Sequence, residues 1–227
     1  MREMNAPALS YSIKTIEDLR GPEGRLEALL NSGAPDARYA VLVCHPHPLG
    51  GGTMHNKVVY HAMKAFQSLG LPVLRFNFRG TGLSEGEHDR GRGEQDDVRA
   101  ALDWLDNEFH LPILFAGFSF GSYVGMSVCC GDTRVKGIVA LGLPVHAEGR
   151  DYRYDFLAAC GKPKIFISGT RDQYGPRAKV ETAVAAAASP KKIVWIEGAD
   201  HFFAGKLDHV QQAIRDWCAA QFLSPAL

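Results

Sequence analysis

The chain has 227 residues, and its charge and hydropathy exclude several classes of protein. Lys plus Arg and Asp plus Glu each number 25, so the formal net charge is zero and the basic footprint typical of nucleic-acid binding is missing. No run of about 18 apolar residues is present to span a membrane, and the first residues contain no apolar segment typical of a secretory signal. The five cysteines match no zinc or redox spacing, which indicates reduced thiols in a cytoplasmic protein.

Short apolar runs alternate with helical patterns along most of the chain. Two strands joined by a turn at 21–24 are predicted at 9–20 and 25–31. Further strands are predicted at 40–44, 72–78, 112–116, 135–143, 164–168 and 193–196, and helices at 56–69, 94–108, 119–130, 176–188 and 206–222. Continuous apolar runs are typical of strands covered on both faces. The sequence therefore predicts an α/β fold in one domain, residues 1–227, with a mostly parallel eight-stranded sheet flanked by helices.

Reactive side chains of such sheets gather just beyond the carboxyl ends of the strands. Segments with candidate side chains follow predicted strands at 44–48, 117–121, 169–172 and 198–201. We expect these segments to meet at one edge of the sheet.

The pattern Gly-x-Ser-x-Gly occurs twice, around Ser84 and around Ser119. A nucleophilic serine in this pattern needs a strand before it and a helix after it, because the sharp turn lifts its hydroxyl above the sheet. Ser119 follows the predicted strand 112–116 and begins a predicted helix. Ser84 lies in a polar, Gly-rich stretch where no helical pattern begins for several residues. The sequence therefore predicts Ser119 as the nucleophile and Ser84 as a loop residue.

A serine hydroxyl needs a base to take its proton, and the base needs a carboxylate to fix its tautomer. Where the serine occupies such a strand-to-helix turn, the chain order is Ser, then Asp or Glu, then His. His201 alone among the later histidines follows a terminal strand across a short loop, and Asp172 follows the strand 164–168. We predict the triad Ser119, Asp172 and His201. Asp151 and Asp155 are the rival acids.

Four segments together carry a family resemblance. They are Cys-His-Pro-His-Pro-Leu-Gly-Gly-Gly-Thr-Met at 44–54, Asn-Phe-Arg-Gly-Thr-Gly at 77–82, Gly-Phe-Ser-Phe-Gly at 117–121 and Gly-Ala-Asp-His-Phe-Phe at 198–203. In these segments the chain resembles small bacterial α/β-hydrolases related to dienelactone hydrolases and compact carboxylesterases. The resemblance implies an α/β-hydrolase fold and a catalytic triad. Dienelactone hydrolases have a cysteine nucleophile, so serine at position 119 favours ordinary ester cleavage.

Acyl transfer also needs backbone N–H donors for the developing oxyanion. One donor should be Phe120, the residue after the nucleophile. The second should come from the loop after strand 40–44, where Pro46 and Pro48 have no N–H, which leaves His47 or Leu49. Resemblance to His-Gly-x hydrolases implies His47, acting through its backbone.

His45 and His47 have a spacing that a metal pair could use. No further set of ligands follows the later strands to complete such a site, so we predict neither a metal nor another cofactor.

The connection between strands 135–143 and 164–168 is short for a helical cap, so we expect a minimal cap or none. Wall residues of the substrate site are predicted, besides Phe120, to be Leu49, Met54, Phe118, His146, Tyr174 and Phe202.

The leading functional hypothesis is hydrolysis of small or short-acyl carboxylic esters. A thioesterase, amidase or peptidase would use the same triad, because the preference for the leaving group depends on the shape of the pocket. A non-catalytic interaction module on the same fold is the alternative from another class, although such proteins usually lose a triad residue. Both a monomer and a homo-oligomer are compatible with the sequence.

Overall fold

The computed structural model describes residues 12–146, 150 and 152–223. The strands are β1 Ile13–Ile16, β2 Arg20–Gly21, β3 Gly24–Arg25, β4 Ala28–Asn31, β5 Ala40–Cys44, β6 Val73–Phe76, β7 Ile113–Phe118, β8 Val135–Leu141, β9 Lys164–Gly169 and β10 Lys191–Ile196. Eight of them form one sheet in the order β1-β4-β6-β5-β7-β8-β9-β10, and β2 and β3 form a small separate hairpin.

The sheet is mostly parallel, as the sequence predicts. The six strands from β6 to β10 in the sheet order pair in parallel, whereas β1 and β4 form an antiparallel edge. Every residue of β5, β7 and β9 is buried. Burial on both faces explains why these strands are continuous apolar runs rather than alternating ones.

Helices cover both faces of the sheet. They are α1 Lys57–Ser68, α2 Gly93–Phe109, α3 Phe120–Cys129, α4 Arg177–Ala186 and α5 Leu207–Cys218. The apolar sides of α2, α3 and α4 pack in one core, and those of α1 and α5 pack in the other. The amphipathic pattern of α1 begins at Asn56, whose side chain accepts a hydrogen bond from the Val58 N–H at 2.9 Å and caps the helix.

The largest differences between prediction and structure lie near the two ends of the chain. The strand predicted at 9–20 is reduced to β1, and its residues 9–11 lie outside the described residues. After β1 the chain leaves the sheet in the β2–β3 hairpin, which allows Leu19 and Leu26 to be buried in the core beside α2. The helix predicted at 206–222 is α-helical only as far as Cys218. The chain then forms a π-helical turn, Ala219–Leu223.

The connection between β8 and β9 forms no helical cap within its described residues. Its one described helix there is a short 3-10 helix, Asp155–Ala159. None of the helices in the described ranges has the length and apolarity needed to cross a membrane.

Candidate active site

Ser119 occupies a tight turn between β7 and α3. Its backbone has φ 52° and ψ −122°, a left-handed conformation that is strained for a residue with a side chain. Its N–H donates to the Leu141 carbonyl at 2.9 Å, which fixes the turn against β8. A Cβ at Gly117 would lie 2.6 Å from the Gly121 carbonyl oxygen, and one at Gly121 would lie 2.3 Å from the His45 carbonyl oxygen. The two glycines of the pattern are therefore required by close backbone contacts.

Ser119, His201 and Asp172 form one chain of hydrogen bonds. The Ser119 hydroxyl lies 2.9 Å from Nε2 of His201, and Nδ1 of His201 lies 2.8 Å from Oδ2 of Asp172. The His201 and Asp172 residues are 2% and 4% exposed, so water cannot readily replace the bond between them. The structure thus brings together the three residues that the sequence predicts as a triad.

The carboxylate of Asp172 is held by the backbone as well as by His201. Its Oδ1 accepts hydrogen bonds from the N–H groups of Tyr174 at 2.8 Å and Gly175 at 2.9 Å. These bonds leave Oδ2 directed at His201. The imidazole is therefore oriented with its Nδ1 proton toward the acid and its Nε2 lone pair toward Ser119.

The rival acids occupy other places. The Asp155 side chain is 81% exposed and forms an ion pair with Arg153 at 3.2 Å, and Asp151 lies outside the described residues. Asp200, next to the histidine, accepts hydrogen bonds from the N–H groups of Phe202 and Ala204 and shapes the loop. Among the described carboxylates, Asp172 alone contacts the imidazole of His201.

The backbone N–H groups of His47 and Phe120 are the two that the sequence predicts as oxyanion donors. Among the described residues, neither donates a hydrogen bond. The N–H of Leu49, the other donor that the sequence leaves open, donates to Nδ1 of His47 at 3.2 Å. The His47 carbonyl in turn accepts from the N–H groups of Gly50 and Gly52, both at 3.0 Å. The loop is therefore folded around His47, and the N–H of Leu49 is already engaged in a hydrogen bond.

The ring of His47 is a neutral, packed group. It lies 4.7 Å from the Phe120 ring and 4.8 Å from the His88 ring, measured between centroids. Burial lowers the pKa of His47 to about 4, and the neighbouring Arg150 and His88 add to this effect. The neutral ring can accept the Leu49 N–H, so its visible role is to hold the loop.

A cleft of about 160 Å³ opens beside the hydroxyl of Ser119. We call it the active-site cleft, and its lining residues are Pro46, His47, Gly50, Gly51, Gly52, Asn56, Ser119, Pro144, Arg150, Tyr152, Tyr174, His201 and Phe202. Of the wall residues predicted from the sequence, Tyr174 and Phe202 line it. The Tyr174 ring also packs on the His201 ring at 4.7 Å.

The other predicted wall residues lie elsewhere. Met54 and Phe118 are 1% and 0% exposed and belong to the core, so their assignment to the wall is corrected. Phe118 acts from below, with its ring 5.0 Å from that of His201. His146 is exposed outside the active-site cleft, and Leu49 is 76% exposed on a neighbouring one.

Sequence reasoning missed three polar side chains of the cleft: Asn56, Arg150 and Tyr152. Asn56 carries a detectable signal, because it stands as a cap before a helical pattern in the loop that follows β5. Arg150 and Tyr152 lie in an aperiodic connection, and no pattern in the sequence places them near Ser119.

His45, two residues before His47, has both ring nitrogens engaged by the protein. Nε2 of His45 accepts the Phe78 N–H at 2.9 Å, so Nδ1 carries the proton and donates to the Pro46 carbonyl at 2.6 Å. Burial lowers the pKa of His45 to about 4 and keeps the ring neutral. Neither nitrogen is free to bind a metal ion. Elsewhere in the described ranges, no three His, Cys, Asp or Glu side chains are grouped as metal ligands.

A serine at a strand-to-helix turn, hydrogen-bonded to a histidine and an aspartate that follow later strands, defines a hydrolase-type site on a doubly wound sheet. Residues 38–219 match the sequence profile of the alpha/beta hydrolase domain family. The chain belongs to this family.

Relatives and solved structures agree with the assignment. The chain is 38% identical over 205 residues to the uncharacterized protein RP471 of Rickettsia prowazekii, covering 87% of this chain and 85% of that protein. An alpha-beta serine hydrolase homologue from Coxiella burnetii is 35% identical with a TM-score of 0.79, over 90% of this chain and 96% of the other. XC6422 from Xanthomonas campestris, an α/β serine hydrolase without lid, is 30% identical with a TM-score of 0.81, over 97% and 98% of the two chains.

Proposed function

We propose that the chain hydrolyses carboxylic esters of small or short-acyl substrates through an acyl-enzyme on Ser119. The single observation that carries the proposal is the unbroken set of hydrogen bonds from Asp172 through His201 to the Ser119 hydroxyl. The small volume of the active-site cleft, about 160 Å³, supports a small acyl group.

The proposed reaction has two halves that use the same groups. The Ser119 oxygen attacks the ester carbonyl while Nε2 of His201 takes the hydroxyl proton, and Asp172 stabilises the resulting imidazolium. The backbone N–H groups of His47 and Phe120 would hold the oxyanion. His201 then gives its proton to the departing alkoxide. Water attacks the acyl-enzyme by the same route, with His201 as base, and releases the acid and free Ser119.

A panel of matched acyl esters, thioesters and amides tests the proposal. We expect the purified chain to cleave the short-acyl esters faster than the amides, because an alkoxide is more readily expelled than an amide nitrogen, and to need no other component. Ser119→Ala should abolish the activity. Activity should persist in EDTA, since His201 already activates the nucleophile. Faster cleavage of thioesters or amides would replace esters as the proposed substrate class. Hydrolysis that survives Ser119→Ala would overturn the mechanism.

We also propose that the protein works in the cytoplasm. The support is that Cys44, Cys129, Cys130, Cys160 and Cys218 are all free thiols, as is usual in reducing compartments. Fractionation of cells that produce the protein tests this, and recovery with a secreted or periplasmic fraction would contradict it.

A further inference from the structure

The active-site cleft contains a cation beside the reacting serine. Among the described residues that line it, Arg150 carries the one permanent formal charge, and none is an Asp, Glu or Lys. The two lining histidines are a triad member and His47, which the shift of its pKa to about 4 keeps neutral. Within the described part of the chain, the cleft therefore presents a positive charge and no lining carboxylate.

Arg150 differs in this respect from its neighbour Arg153. The guanidinium of Arg153 pairs with Asp155 at 3.2 Å, whereas Arg150 has no ion pair among the described residues. The Arg150 side chain lies close enough to Tyr152, which also lines the cleft, to oppose the rise that burial causes in the pKa of that tyrosine. Arg150 is an exposed residue, so N–H groups of its guanidinium remain available as donors to a ligand.

The charge of Arg150 lies on the side of the oxyanion donors. Arg150 lines both the active-site cleft and the neighbouring one, as His47 does, and its charge helps to lower the pKa of that ring. The leaving alcohol must instead lie at Nε2 of His201, because this nitrogen returns the proton. The rings of Tyr174 and Phe202 stand against His201 there, with centroids 4.7 Å and 5.3 Å from its own. Arg150 thus lies nearer the place of the acyl carbonyl than the place of the alcohol.

A second, larger cleft continues from this position. It has a volume of about 800 Å³, shares His47, Arg150 and Tyr152 with the active-site cleft, and adds Leu49, Glu87, His88, Arg90, Phe120 and Tyr123. Its two arginines outnumber its one carboxylate. An acyl chain that extends from the carbonyl carbon bound to Ser119 into this second cleft would pass the guanidinium of Arg150. Arg90 adds a positive charge further along the cleft.

We propose that Arg150 makes the site selective for esters whose acyl part carries a carboxylate, that is, half-esters of dicarboxylic acids. The inference deepens the proposed function and rests on it. A guanidinium matches a carboxylate with two parallel hydrogen bonds, and the partly apolar cleft screens the pair less than bulk water does. A neutral acyl chain offers Arg150 no such partner.

The test compares two esters that differ in charge and hardly in shape: monoethyl glutarate and its neutral analogue ethyl 4-carbamoylbutanoate. We expect wild-type kcat/KM to favour the anionic ester by about tenfold, the value of a charge-assisted hydrogen bond discounted for the exposure of Arg150. Arg150→Gln should remove most of this ratio, mainly through KM, and Arg150→Glu should bring it below one. Added salt should lower the wild-type ratio.

Arg153→Gln is the matched control, because Arg153 lines neither of the two clefts. It removes the same charge from the same connection and should keep the wild-type ratio. Circular dichroism of each variant checks the fold. Calorimetric binding of both esters to Ser119→Ala gives a second readout without turnover, and the half-ester should bind about tenfold more tightly there.

The outcomes separate this inference from the proposed function. Ser119-dependent hydrolysis of p-nitrophenyl acetate together with a charge ratio near one would overturn the role of Arg150 and leave the esterase proposal standing. A ratio that falls equally in Arg150→Gln and Arg153→Gln would also overturn it, since the effect would then be general electrostatics. A carboxylate preference that appears when the charge is on the alcohol rather than the acyl part would overturn the assignment of Arg150 to the acyl side of the cleft. Absence of Ser119-dependent hydrolysis of any ester would remove the proposed function itself.

Discussion

The chain carries the pattern Gly-x-Ser-x-Gly at 82–86 and at 117–121, and the two copies have opposite surroundings. The copy at 117–121 joins the buried strand β7 directly to α3. The copy at 82–86 lies in the loop between β6 and α2, and the next helix begins only at Gly93. The same residues therefore form a strained turn at the sheet edge in one place and an ordinary loop in the other.

The polar partners of the two serines show what the difference means. The Ser119 hydroxyl faces Nε2 of a histidine and the active-site cleft. The Ser84 hydroxyl donates to the Asn77 carbonyl at 2.6 Å and accepts the Glu27 N–H at 2.9 Å, so its proton is committed to the backbone. A hydroxyl becomes a candidate nucleophile when its proton is offered to a base, and the motif alone does not determine this.

The histidines repeat the contrast. His201 has its Nε2 directed at the serine, whereas both nitrogens of His45 bind backbone groups. With similar burial, the His201 ring faces the Ser119 hydroxyl, whereas the His45 ring holds a loop. The variants below separate reacting groups from structural ones, from the largest expected effect to the smallest.

Ser119→Ala should lower kcat by on the order of 10⁴-fold or more, because no other group at the site can form the acyl-enzyme. Steady-state kinetics on a short-acyl ester measures this loss. A fluorophosphonate probe followed by peptide mapping should place its adduct on Ser119. An adduct on Ser84 would reverse the comparison.

Asp172→Asn should preserve the fold and lower turnover by roughly 10³–10⁴-fold, because the amide no longer fixes the tautomer of His201. Asp155→Asn is the control and should retain activity, since the carboxylate of Asp155 contacts Arg153 instead. An inactive Asp155→Asn with an active Asp172→Asn would move the acid to the earlier connection.

His47→Pro should cost about 10²–10³-fold in turnover, because it removes one N–H donor from the oxyanion. His47→Ala keeps that N–H and should cost much less. Proline can also distort the loop, so circular dichroism of both variants must show native folds before the rates are compared. If folded His47→Ala is as inactive as His201→Ala, the ring takes part in the chemistry and the backbone assignment is wrong.

The fold was predictable because its strands are buried runs of apolar residues that are bounded by turns. The prediction 40–44 coincides with β5, whose residues are buried on both faces. The prediction 135–143 is two residues too long for β8, since Gly142 turns the chain with φ 53° and a Cβ there would lie 2.8 Å from the Phe118 ring. Apolar composition continues through Gly142 and Leu143, and only the turn ends the strand.

The wall of the cleft was predictable only in part, for a physical reason. Phe118 is adjacent to Ser119 in the sequence, but consecutive residues at the end of a strand point to opposite sides, and its ring is buried beneath His201. Arg150 reaches the cleft through an aperiodic connection whose path depends on tertiary packing. Sequence periodicity contains no information about such a path.

His45→Asn sharpens the contrast between the histidines through the pH dependence of stability. The fold lowers the pKa of His45 from 6.5 to about 4, so the unfolded chain binds a proton that the folded chain refuses. The stabilising effect of the neutral ring is therefore complete above about pH 6.5 and is lost as the pH falls toward 4, at about 1.4 kcal/mol per pH unit.

Urea unfolding between pH 7 and pH 4 measures this slope. The variant should be less stable at pH 7, because the Phe78 N–H loses its acceptor, but its free energy of unfolding should fall less steeply with acid. Ser127→Ala, which removes a hydroxyl that donates to the Val124 carbonyl, is a suitable control for the slope. An identical slope in His45→Asn and wild type would mean that His45 titrates normally.

Ser84→Ala gives the smallest expected effect on activity, and it should act on stability instead. The deletion leaves the Glu27 N–H and the Asn77 carbonyl without the partner that joined them, in a place where Ser84 is 8% exposed. Unpaired buried groups of this kind cost about 1–3 kcal/mol, so the midpoint of urea unfolding should fall measurably. The turnover number of the folded enzyme should stay within a few-fold of wild type, because no contact links Ser84 to the triad. Ser119→Ala should show the reverse, with activity lost and the unfolding midpoint retained, since alanine keeps the Cβ and the backbone bond to Leu141 still holds the turn. If Ser84→Ala instead loses activity at full stability, the loop at 82–86 takes part in the reaction and the two copies of the motif are not divided as the geometry indicates.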